Sequence, residues 1–185
     1  MGTDKAFLEF SGRSLLTNAL DLALSVATEV RIVGDPAKFS AFGTVVQDVY
    51  RDRGPLGGVH AALANSHTEL NLMIGVDLPL LDARFLKHLI DAAGDCDALV
   101  TVPRLHGHYE PLCAVYRKPF EALADAALAA NRNKVDALFS ATPIRLVNDD
   151  ELATGGFSPA MFRNVNTPED WRQIQEELAN CAGHL

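Results

Sequence analysis

Apolar segments of two different periods alternate along this chain, and that alternation limits the fold more than any other feature. Ser14 to Ala27 carries Leu15, Leu16, Ala19, Leu20, Ala23 and Leu24 at helical spacing, with Ser14 placed as a cap. Glu29 to Val33 then reads as a short strand ending at the turn cluster Gly34-Asp35-Pro36. Thr44 to Val46 is a second strand, and Gly57 to Asn65 a short alanine-containing helix. Leu70 to Val76 is apolar almost throughout, the mark of a buried strand. Asp82 to Ala93 follows as a helix with Asp82 as its cap and Phe85, Leu86, Leu89 and Ile90 as its inner stripe. Strands at Asp97 to Val102, Leu112 to Tyr116 and Ile144 to Val147, with helices at Pro119 to Ala130 and Pro168 to Ala179, complete the pattern. The expected fold is an α/β doubly wound, mostly parallel sheet with helices on both faces, which puts a ligand at the carboxyl ends of the strands.

No repeat or linker divides the chain, and 185 residues suit one domain with a sizeable core. Sixteen Lys and Arg residues against 24 Asp and Glu give a net charge of −8. Such a surface repels phosphodiester backbones, which argues against nucleic acid as a partner while leaving room for one phosphate ligand at a local positive patch. The longest apolar stretch is far too short to span a bilayer, so no membrane partner is expected. Asp4, Lys5 and Glu9 interrupt the start before a secretory apolar run develops. Cys96, Cys113 and Cys181 are odd in number and lack CxxC spacing, as in a reducing, cytoplasmic setting.

The strand ends are where chemistry is expected. Asp77, before Leu78-Pro79, is either a ligand for a hard cation such as Mg²⁺ or a loop aspartate bonding its own backbone. Arg51-Asp52-Arg53-Gly54-Pro55-Leu56-Gly57-Gly58 joins a strand to a helix; its glycines allow a close ligand approach, or simply a tight turn. Thr167-Pro168-Glu169-Asp170 is a helix start, and Asn164 and Asn166 point the same way in the extended segment before it. His106-Gly107-His108 reads as a solvated hairpin tip rather than a metal site. The other histidines, His60 among them, carry no signal, and no arrangement suggests a covalent nucleophile.

Taken in order, Met1-Gly2-Thr3-Asp4-Lys5-Ala6, Gly54-Pro55-Leu56-Gly57-Gly58, Asp77-Leu78-Pro79, Glu110-Pro111-Leu112 and Asn164-Val165-Asn166-Thr167-Pro168-Glu169-Asp170 resemble the molybdenum cofactor guanylyltransferases over essentially the whole chain. The resemblance implies one nucleotidyltransferase-like domain over 1–185 that transfers GMP from GTP to molybdopterin with Mg²⁺, releasing pyrophosphate. It implies that Lys5 contacts the triphosphate, that Asp77 binds Mg²⁺, and that Asp48, Gly54, Gly57 and Gly58 lie at the nucleotide. Asn164 and Asn166 match the asparagine pair on the molybdopterin side. Lys5 and Asp77 are the expected catalytic pair, and a molybdoenzyme or chaperone is the expected recipient of the product. The family places a hydrophobic strand and a Leu-Ala-Gly-Gly-type loop before the segment that starts here at Met1, so an N-terminally truncated domain is expected. The related cytidylyltransferases and a non-catalytic nucleotidyltransferase-like binding module are the competing readings; a sugar-phosphate nucleotidyltransferase is more distant.

Overall fold

The computed structural model describes residues 5–10, 12–167 and 169–174. The chain enters through a 3₁₀ turn, Lys5–Phe7, and a small antiparallel ribbon, β1 (Glu9–Phe10) with β2 (Arg13–Ser14). Helix α1 (Leu15–Leu24) starts where expected, with the Ser14 side chain accepting from the Thr17 amide, and buries Leu15 and Leu16. It ends three residues short of the expected Ala27. β3 (Ile32–Val33) and β4 (Val45–Val46) form a separate parallel pair, linked through the single-turn α2 (Pro36–Phe39), which Asp35 caps. Helix α3 (Gly54–Ala64) begins at Gly54, three residues before the expected Gly57, because Pro55 in its first turn needs no amide partner.

The remaining strands form the main sheet: β5 (Leu70–Ile74), β6 (Val100–Leu105), β7 (His108–Tyr109), β8 (Cys113–Arg117) and β9 (Ile144–Asn148). Helices on both faces are as expected; the strand directions are not. β8 lies between β5 and β6 and is antiparallel to both, β7 is antiparallel to β6, and only β9 runs parallel to β6. The sheet is therefore mixed and largely antiparallel, not the doubly wound, mostly parallel sheet expected. The reason is local. Between β6 and β8 the chain contains no helix to carry it back across a face, and a short connection can only return antiparallel. It turns at His106 and Gly107, with φ of 47° and 89°, the left-handed pair typical of a tight hairpin.

Side-chain alternation along β8 divides the core. Ala114 and Tyr116 face α3 and helix α5 (Phe120–Ala129), packing with Leu56, Val59, Leu63 and Phe120. Cys113 and Val115 face helix α4 (Ala83–Gly94), packing with Phe85, Leu86 and Leu89 and with Leu152 of α7 (Asp149–Thr154). Of the stripe expected on α4, only Ile90 stays half-buried. The short α6 (Asp136–Phe139) and a 3₁₀ turn at Pro159–Phe162 complete the described elements, and residues 169–174 are helical. The rest of the expected C-terminal helix, to Ala179, and Cys181 lie outside the described residues. Among the described residues no helix is long and apolar enough to cross a membrane.

Candidate active site

Asp77 leaves the end of β5 beside the start of β8, since Ile74 pairs with Cys113. Two backbone bonds fix it there. The Gly75 amide donates to the Leu112 carbonyl at 2.6 Å, and the Asp77 carbonyl accepts from the Val165 amide at 2.8 Å. The second bond lays segment 164–166 along Asp77. Val165 is buried against Leu15 and Ile174, so Asn164 and Asn166 on either side of it are left exposed, as the extended alternation predicts. Asp170 holds this segment in turn: its Oδ2 accepts from the amides of Asn166 and Thr167, each at 2.9 Å, while Thr167 Oγ1 accepts from the Asp170 amide at 3.1 Å. This is a reciprocal helix cap. The same bonds, that from the Asn166 amide first, hold the Asp170 carboxyl below the usual aspartate range.

Lys5 comes from the other end of the chain. Ala6 is buried beside Leu16 and Ile32 and anchors the turn that carries the lysine. Lys5 Nζ then lies 2.5 Å from Asp77 Oδ2 and donates to Asn166 Oδ1 at 3.4 Å. Lys5, Asp77 and Asn166, all three named as site residues by the one family resemblance, thus lie together, with Asn164 on the same exposed side of the segment. Two oxygen donors gather around one positive charge, which is the kind of donor set a hard cation accepts. Among the described residues no group of three or more His, Cys, Asp or Glu side chains forms a metal cage. Mg²⁺ suits one or two carboxylates with the remaining positions left to water and phosphate oxygens, so the residues fit that ion.

Glu110 is the neighbour for which the motif reading named no role. It precedes β8, and the antiparallel course of that strand brings it to the sheet end where Asp77 emerges. Burial, and then the charge of Asp77, raise its carboxyl above the usual range, with His108 acting the other way. Glu110 lies in the polar stretch Arg104 to Glu110 at the end of β6, one of the strand ends at which a ligand is expected.

Asp48 belongs to a different group. Its Oδ1 is buried without a hydrogen-bond partner among the described residues, and burial raises its carboxyl while the charge of His60 lowers it. The glycines expected in a loop lie in the first turns of α3. Gly54 has a φ of 62°, which favours glycine, and a Cβ on Gly57 would stand 3.0 Å from the Tyr50 carbonyl. Gly57 therefore lets the segment after Asp48 press against the helix. Gly58 meets Val33 at an ordinary packing distance. His106 and His108 are exposed at the β6–β7 turn, as a hairpin tip.

Residues 1–146 match the family model described as the MobA-like NTP transferase domain. The chain belongs to the molybdenum cofactor guanylyltransferase family, within the nucleotidyltransferase superfamily. A probable molybdenum cofactor guanylyltransferase of Pelotomaculum thermopropionicum is 30% identical, the match covering 92% of this chain and 83% of the relative. Another from Carboxydothermus hydrogenoformans is 28% identical, covering 94% and 88%. The crystal structure of molybdopterin-guanine dinucleotide biosynthesis protein A from Archaeoglobus fulgidus has the same fold, with a TM-score of 0.79 at 20% identity over 97% of this chain and 92% of that one. Family membership makes this guanylyltransferase-type chain a nucleotidyltransferase-like enzyme.

Proposed function

We propose that this protein transfers GMP from GTP to molybdopterin in a Mg²⁺-dependent reaction, forming molybdopterin guanine dinucleotide and pyrophosphate. The observation that carries the reading is the convergence of Asp77 and Asn166 on Lys5 Nζ at the end of β5. The terminal phosphate oxygen of molybdopterin forms a bond to the α-phosphorus of GTP, and the bond from that phosphorus to the β-phosphate bridging oxygen breaks. Pyrophosphate departs with that electron pair. A phosphate monoester is largely ionised near neutral pH, so no general base is required. The obstacle is anion meeting anion, and catalysis reduces to positioning and charge neutralisation.

Asp77 would hold Mg²⁺ together with the Asn166 amide oxygen and the phosphates, and the ion would supply charge neutralisation at the reacting phosphoryl group. Lys5 gives its ammonium to the triphosphate in place of the Asp77 carboxylate it pairs with in the free protein. Asn164 and Asn166 orient the molybdopterin side, and Asp48 with Gly54, Gly57 and Gly58 bounds the nucleotide side. The protein works in the cytoplasm, and a molybdoenzyme or its chaperone receives the product.

The test is to incubate purified protein with molybdopterin, Mg²⁺ and either GTP or CTP, then measure pyrophosphate and the dinucleotide. The dinucleotide is expected with GTP and Mg²⁺ only. Preference for CTP would overturn the guanine assignment, and normal turnover by Asp77→Ala would overturn the metal assignment.

A further inference from the structure

His60 on α3 is one of the most enclosed polar side chains in the protein, with 6% exposure. One edge of its ring is occupied. Nε2 stands 3.5 Å from Oδ1 of Asp125 on α5, the Tyr50 hydroxyl donates to that same oxygen at 2.7 Å, and the Tyr50 ring meets the imidazole edge-on with centroids 5.2 Å apart. The other edge is not. His60 Nδ1 is buried and has no hydrogen-bond partner among the described residues. Asp48 Oδ1 is in the same condition, two residues before the Tyr50 whose ring packs on the imidazole and whose carbonyl lies against Gly57 of the same helix.

Leaving a buried polar atom unpaired costs on the order of 1–3 kcal/mol. Two such atoms in one neighbourhood mark a place that a polar group enters. Asp125 and Tyr50 hold the imidazole from behind, so its free nitrogen has a fixed direction, while Asp48 lies between β4 and the anchored Tyr50.

We propose that His60 is a positioning residue for Asp48, and that Asp48 Oδ1 and His60 Nδ1 share one hydroxyl-type partner when the nucleotide is bound. This rests on the reading of Asp48 as a nucleotide-binding residue. An ionised carboxylate only accepts, so the partner donates to Asp48 and engages the imidazole with its remaining capacity; a ribose hydroxyl or an ordered water both have that chemistry.

The experiment is a titration of the intact protein with Mg²⁺-GTP, alongside steady-state turnover and thermal melting, for His60→Asn, His60→Gln and Asp48→Asn. An asparagine amide reaches the position of Nδ1, and a glutamine amide that of Nε2. His60→Asn is expected to keep GTP affinity within about threefold, whereas His60→Gln weakens it roughly ten- to a hundredfold, the worth of a hydrogen bond to a charged group. That loss appears in KM for GTP with kcat at saturation little changed, and it vanishes in the Asp48→Asn background. The reverse order, with glutamine tolerated and asparagine not, would mean that His60 only supports Asp125 and Tyr50, and the proposal fails. Additive losses in the double variants would also overturn it. If Asp48→Asn alone binds GTP like the unaltered protein, the underlying reading of Asp48 is wrong, whatever His60 does. Weaker binding of 2′-deoxy- or 3′-deoxy-GTP, absent in Asp48→Asn, would identify the partner as a ribose hydroxyl; equal binding of all three would identify it as water.

Discussion

The Asp77 carboxylate folds back over Gly75 so closely that a Cβ on that glycine would stand 2.8 Å from Asp77 Oδ1. The same Cβ would lie 3.5 Å from Cβ of Leu112, the residue before β8 whose carbonyl accepts the Gly75 backbone hydrogen bond. The glycine is there for space. Gly75→Ala is expected to push the carboxylate away from Lys5 and Asn166. Displacements of about 1 Å at a reacting centre cost on the order of a hundredfold, so kcat should fall by about that factor. Turnover at saturating GTP checks this; an alanine variant at full rate would show that the Asp77 position is not critical.

Lys5 is half-exposed, with 44% of its side chain accessible against 17% for Asp77. Exposed ion pairs contribute only about 0–1 kcal/mol, so Lys5→Ala should leave thermal stability almost unchanged. Turnover should nevertheless drop by roughly a hundred- to a thousandfold, as for other fixed charge-stabilising groups. Melting curves and rates measured together separate the two roles.

Asp170 ties down the segment that carries Asn166, and its carboxyl is held below the usual range by the Asn166 amide, then by Thr167. A depressed carboxyl adds stability above its unfolded value and loses it as pH falls through the lower folded value. The cap is therefore present at neutral pH and is expected to open below about pH 4. Amide exchange at Asn166 and Thr167 should accelerate over that window and be fast at all pH in Asp170→Ala. A rate in the variant equal to that of the unaltered protein at pH 7 would show that the cap does not hold the segment.

Tyr116 is fully buried, and its hydroxyl donates to the Pro111 carbonyl at 2.8 Å. That bond closes the connection from β7 to β8, where Glu110 sits. Tyr116→Phe should cost about 1 kcal/mol of stability, read as a lower urea midpoint with an unchanged slope. An unchanged midpoint would mean that the connection is held by its backbone bonds alone.

Much of this protein is local and was legible in its residues. Ser14 and Asp82 cap their helices because a short side-chain oxygen can reach a free amide two or three residues on, whatever the rest of the chain does. The helical stripe of α4 and the exposed pair Asn164 and Asn166 follow from the period of the backbone alone. The start of α3 was misread because glycine and proline before a helix look like a turn, although proline is equally at home in the first turn.

Strand direction had no such local signature. β8 inserts antiparallel between β5 and β6 after the chain reverses at His106 and Gly107, a pairing that no residue period announces. Lys5 lies 72 residues from Asp77 and 161 from Asn166, so no spacing could forecast their meeting without the family resemblance. His60 looked like any helical histidine until packing against Tyr50 and Asp125 sealed it and left one nitrogen unpaired. Short-range hydrogen bonding and side-chain period determined the elements; the burial of those elements against one another, a long-range effect, decided which polar groups face each other.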